Sequence, residues 1–266
     1  MLFGEIMAEF DHVDDPDVLE RMETRSALRA ALNMIRPENW WGTGLNPKVL
    51  FAIARDDGIP VVWVPQSAIL LELATASDRN ARMSILHTQK REIIDHCKRI
   101  IRLCGHPWIT NEYALTGKAF AAYEDGHVEA AMALAVSVSE PLAIWASTPR
   151  VQFFKSEAEQ EAWKKRRGNR KYEWATLELS AAEADLSQDK WFYKSLIAPI
   201  ERFFTKWFPD SGYNPPDSLS RHVVAHQPTQ EHFSSENALL SLMLTTSLLY
   251  AVQEWSEQVR WMDDEI

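Results

Sequence analysis

Arg221, His222 and His226 fall in one short run, Ser220-Arg221-His222-Val223-Val224-Ala225-His226, and together they offer the groups that RNA cleavage requires. Attack of a ribose 2′-hydroxyl on the adjacent phosphate needs a group that exchanges a proton near neutral pH, and an unperturbed imidazole titrates near about 6.5. The phosphoryl oxygens need positive charge as the transition state forms, which a planar guanidinium supplies through paired hydrogen bonds. No metal ion is required. The structural alternative for the same residues is capping of helix-end carbonyls or pairing with a neighbouring carboxylate.

The elements that must position this run have clear punctuation. Pro215 and Pro216 suit a first helical turn and Asp217 favours its positive end, so a helix is predicted over Asp217 to His226. Pro228 stops it. Ser234 or Ser235 then caps a second helix in which Leu239, Leu240, Leu242, Met243, Leu244, Leu248, Leu249, Val252 and Trp255 leave little polar face. A helix apolar nearly all round belongs at the centre of a bundle. Within one ideal helix a five-residue step turns roughly 140°, so Arg221 and His226 do not share a face.

Arginine, a polar residue and a histidine five positions on, then a loop and a long apolar helix, resemble the motif of HEPN domains. These are all-α bundles, many of them metal-independent ribonucleases or toxins of bacterial defence systems. The wording is also similar to an uncharacterised bacterial branch with an Asn-Arg-His…His-Gly version and a helix start like Glu236-Asn237-Ala238-Leu239. That branch has an upstream Gly-x-x-x-Ala-rich segment, comparable to Gly126 to Trp145 here, whereas Ser220 and Gln227 replace its asparagine and glycine. The resemblance implies a carboxy-terminal HEPN-like helical domain over 109–266 behind an amino-terminal helical region over 1–108, a single continuous bundle being the alternative. It implies catalysis by Arg221 and His226 with His222 assisting, RNA as substrate, and a homodimer in which motifs from two protomers line one cleft. An antitoxin or other protein is a further implied partner. Glu140, ahead of Pro141, would neutralise and orient Arg221 as an acidic residue does in some relatives, or act as a cap or surface charge. A non-catalytic helical module for dimerisation or protein binding is the rival function.

The net charge of −10 and a pI near 5.3 exclude a general positive coat for nucleic acid, so any RNA contact is local. The basic run Lys164, Lys165, Arg166, Arg167, Arg170 and Lys171 would guide phosphates, or form a solvated loop. Hydrophobic content of 46%, with 11 Trp and 11 Phe, marks a globular chain. Cys97 and Cys104 read as core thiols about 10 Å apart along one helix, too far for a disulfide, which suggests a cytoplasmic setting. The acidic amino terminus does not read as a signal peptide or anchor, and no run approaches the ~18 apolar residues of a membrane span. The metal motifs, phosphate-cradling glycine loop and nucleophile elbow are absent from the sequence, so no metal or cofactor is expected.

Elsewhere the pattern predicts a helix opened by Asp15-Pro16-Asp17 and ended by Pro37, and a short one from Pro47 to Arg55. An extended segment follows over Ile59 to Pro65, then a helix from Gln66. Ile85 to Cys104 reads as one long amphipathic helix, followed by alanine-rich helices over Asn111 to Glu124 and His127 to Trp145. An aromatic stripe from Trp191 to Phe208 is expected to pack on the terminal apolar helix.

Overall fold

Short-range backbone bonding dominates the chain, and the result is all-α: in the computed structural model, which describes residues 37–147 and 191–263, helices occur and no strand is found among the described residues. In chain order they are α1 (Pro47–Ala52), running into a π turn over Ile53–Asp57, α2 (Ser67–Thr75), α3 (Arg79–Thr88), α4 (Lys90–Ile101), α5 (Thr110–Glu124), α6 (Val128–Ser147), α7 (Trp191–Phe203), α8 (Arg221–His226) and α9 (Ser235–Asp263). The amino-terminal helix expected to end at Pro37 and the basic run over 164–171 lie outside the described residues.

Helix α9 is the axis of the bundle. Every residue from Ala238 to Leu249 is buried, including Ser241, Thr245, Thr246 and Ser247. Those hydroxyls are tolerated because each has a carbonyl to bond. Ser241 donates to Ala238 O at 2.7 Å, Thr246 to Leu242 O at 2.8 Å, and Ser247 reaches Val62 O at 2.8 Å. The main partner of α9 is α6, which also packs on α5. Small residues let the two backbones approach: Thr245 Oγ1 lies 3.1 Å from Ala135 O on α6 and 2.7 Å from Ser139 Oγ.

Helix α6 corrects one expectation, since Val128–Ala146 is long and apolar enough by composition to cross a membrane. Its apolar character is accounted for by its place between α5 and α9.

The segment Ile59 to Pro65, expected to be extended, is buried but bends at Val62, Trp63 and Pro65, and side chains satisfy the carbonyls of Val61, Val62 and Pro65. Asn39 Nδ2 donates to Val61 O at 3.0 Å and Pro65 O at 2.8 Å, and Trp40 Nε1 donates to Val61 O at 2.7 Å. Trp63 adopts φ 61°, held by edge contacts to Phe192 and Tyr250.

Three boundaries differ from the sequence pattern. The stretch expected as one long helix divides into α3 and α4 at Gln89, where Thr88 turns its hydroxyl back to Ser84 O at 2.9 Å and Gln89 donates to Glu72 at 2.6 Å. Helix α7 packs chiefly on α1 and the π turn and only lightly on α9. Its buried stripe ends at Phe203, leaving Phe208 exposed. Helix α8 begins at Arg221 instead of Asp217. Ser220, not Asp217, is its cap, accepting from Val223 N at 3.4 Å.

One hydrophobic cluster runs from Trp40 to Val252 and so draws on both halves of the chain. Gln253 on α9 clamps the break near residue 105 by accepting from the amides of Gly105 and His106 at 2.9 and 2.8 Å.

Candidate active site

Ser220 fixes the origin of α8. Its side chain is fully buried, donates to Thr205 O at 2.7 Å and caps the helix, while its own amide donates to Nε2 of His232 at 3.2 Å. His232 is buried in turn, and Asn237, in the first turn of α9, donates to its carbonyl at 3.0 Å. A continuous set of hydrogen bonds therefore ties the start of α8 to the start of α9. Ser234, the cap of α9, accepts from Asn237 N at 3.1 Å.

Arg221 leaves the first turn of α8 toward α6. Its Nε lies 2.8 Å from Oε2 of Glu140, with both side chains mostly covered. The two groups form an ion pair between separate helices. Glu140 and Arg221, distant in sequence, are thus brought together.

His222 and His226 occupy positions one turn apart and share a face. Their ring centroids lie 5.3 Å apart at 61°, and His222 also meets the edge of Phe208 at 4.7 Å. His226 is exposed at the end of the helix, whereas His222 is half-buried. Desolvation, then the positive charge of His226 and Arg221, holds the His222 imidazole below its ordinary range, favouring the neutral ring. The arrangement sets two imidazoles side by side, the half-buried one favouring its neutral form, with a guanidinium on the adjoining face. Sequence reasoning missed Trp207 and Phe208, which border the His222 ring, because they continue the aromatic spacing of α7.

Among the described residues no group of three or more His, Cys, Asp or Glu side chains is placed to hold a metal ion. Cys97 and Cys104 are buried and not joined in a disulfide, and burial pushes the Cys97 thiol up to about 12, which makes it an inert core group.

The buried imidazoles give the fold an acid sensitivity. Burial lowers His232, and burial with the nearby Arg99 charge lowers His96 to about 4. The unfolded imidazole, near about 6.5, binds protons that the folded one refuses, so stability is full above that pH and declines as pH falls toward 4. Urea midpoints should therefore be lower at pH 5 than at pH 7.5, with a smaller difference in His96→Gln. Identical pH dependence in the variant would rule out His96 as a source.

No protein-family model matches the chain, and neither a curated protein nor a solved structure is found to be similar to it.

Proposed function

We propose that the chain is a metal-independent endoribonuclease of the HEPN type, acting in the cytoplasm in a toxin or phage-defence role. The observation that carries this reading is the His222–His226 pair on one helix face, beside Arg221 held by Glu140. His222, the ring more readily neutral, takes the proton of a ribose 2′-hydroxyl as that oxygen forms a bond to phosphorus. His226 donates a proton to the departing 5′-oxygen as its bond to phosphorus breaks, leaving a 2′,3′-cyclic phosphate and a free 5′-hydroxyl. Arg221 neutralises charge on the phosphoryl oxygens, its position set by Glu140. A homodimer that sets two such motifs around one cleft overcomes the turn separating Arg221 from His226 on α8.

A second reading, a non-catalytic module for dimerisation or protein binding, is favoured by the same ion pair, because a covered guanidinium already opposite a carboxylate is occupied structurally. Incubation of RNA in excess chelator separates the two. The enzyme reading expects cleavage by the wild type, reduced by about 10²–10³-fold in Arg221→Ala. No cleavage by the wild type, or equal cleavage by both, leaves the module.

A further inference from the structure

A helix of six residues has too few backbone bonds to fix its own direction. Helix α8 closes with Val224 N donating to Ser220 O at 3.2 Å and Gln227 N to Val223 O at 3.1 Å, so what aims Arg221, His222 and His226 is whatever holds its first residue. The Ser220 amide is the critical group. The leading N–H groups of a helix have no partner within it, and water does not reach a residue as covered as Ser220. Nε2 of His232 takes that N–H at 3.2 Å. The imidazole is buried, and burial holds it below its ordinary range, which favours the neutral ring that can accept. His232 is fixed in turn: its amide closes a turn on Thr229 O at 3.1 Å, and its carbonyl accepts from Asn237 of α9 at 3.0 Å. On the other side of Ser220 the hydroxyl reaches Thr205 O, and two residues later Trp207 N donates to Nδ1 of His222 at 3.5 Å.

We propose that His232, outside the Arg221 to His226 run, is a positioning residue for the candidate active site, carrying the placement of α9 through one imidazole to the residue from which α8 starts. The consequence for cleavage rests on the ribonuclease reading; the brace itself rests on the hydrogen bonds. Arg221 follows Ser220 directly and meets Glu140 on α6, so it is held from two helices at once. Without the imidazole the Ser220 N–H has no acceptor, and α8 gains by turning or fraying until water reaches that group. Arg221 and His222, in the first turn, then move with it. A displacement of about 1 Å at reacting groups is enough to cost on the order of 10²-fold in rate.

Two variants of the full-length protein separate the bond made by the ring from its bulk. His232→Gln places a side-chain oxygen close to where Nε2 lies and can accept from Ser220, whereas His232→Leu fills the space and accepts nothing. Should His232→Leu not fold, His232→Asn takes its place, its shorter amide stopping short of Ser220. His222 reports the placement of α8 without reference to activity, because burial first, then the charges of His226, Arg221 and Lys206, hold its imidazole below the ordinary range. By NMR its titration midpoint should rise toward about 6.5 in His232→Leu, as α8 turns to water, and keep its wild-type value in His232→Gln. Loss of stability alone leaves a midpoint in folded protein where it was. With RNA and excess chelator, kcat should fall on the order of 10²-fold in His232→Leu with KM changed much less, and His232→Gln should recover it. An unmoved His222 midpoint in His232→Leu overturns the proposal, as does an equal shift in both variants. A midpoint that moves as expected in a protein whose wild type cuts no RNA keeps the brace and removes the ribonuclease reading. Cleavage by His232→Leu at the wild-type rate, with the midpoint moved, keeps the ribonuclease reading and overturns positioning.

Discussion

Replacing His226 with alanine is expected to slow RNA cleavage by about 10²–10⁴-fold, the usual worth of a positioned proton donor or acceptor. The change should leave stability nearly untouched, because the ring is exposed at the end of a six-residue helix. The pH dependence identifies the role more sharply than the rate. With His222 as the proposed base, activity should rise with pH as that ring loses its proton. Burial and the neighbouring positive charges hold His222 below its ordinary range, so the rising limb should lie below about pH 6.5. His222→Ala should abolish that rising limb, whereas His226→Ala should slow cleavage and keep it. Retention of the rising limb in His222→Ala would remove that histidine from proton transfer.

Arg221 presents a different balance. Its contact with Glu140 lowers the free positive charge available to a phosphate, yet it also fixes where the guanidinium lies. Glu140→Gln separates these effects, since the amide keeps the shape of the contact and removes its charge. A catalytic Arg221 would then bind phosphate more strongly while being held less firmly.

What could be read from the chain follows from how local each signal is. Helix α9 was legible because its apolar residues leave no polar stripe and Ser234 stands at its start. The run ending at Pro65 was legible as non-helical from its bracketing prolines, but its bends and the carbonyl partners Asn39, Trp40 and Ser247 were not, since those partners come from up to 185 positions away. The beginning of α8 was misplaced for the same reason: Ser220 prevails over Asp217 because Thr205 and His232 hold it, and neither is a sequence neighbour. The Gln89 break depends on a bond to Glu72 that no helical period encodes. Phe208 fitted the spacing of α7, yet that helix ends at Phe203 and the ring is exposed. The proximity of Glu140 to Arg221 appeared in the sequence only as one option among several, because two separate helices must pack before the pair can form.

The closeness of α6 and α9 is what places Glu140, so it provides the strongest test of how the fold supports the site. Thr245 is wholly buried at that crossing, with its hydroxyl 2.7 Å from Ser139 Oγ, 2.7 Å from Ser241 O and 3.1 Å from Ala135 O. Its single proton serves one carbonyl, which leaves Ser139 to donate to Thr245. Thr245→Leu would overfill the crossing, at about 1–3 kcal/mol, and strand the Ser139 hydroxyl at about 1–3 kcal/mol more, for roughly 2–6 kcal/mol together. Thr245→Val keeps the volume and strands the same Ser139 hydroxyl without overfilling, so about 1–3 kcal/mol is expected in urea unfolding. Equal costs for the two variants would mean that the helices have room to spare. Glu140 follows Ser139 directly on α6, so forcing the helices apart also draws the carboxylate from Arg221. At temperatures where both variants remain folded, cleavage should therefore fall in Thr245→Leu and persist in Thr245→Val, which ties the chemistry to the spacing of two helices rather than to the reacting groups alone.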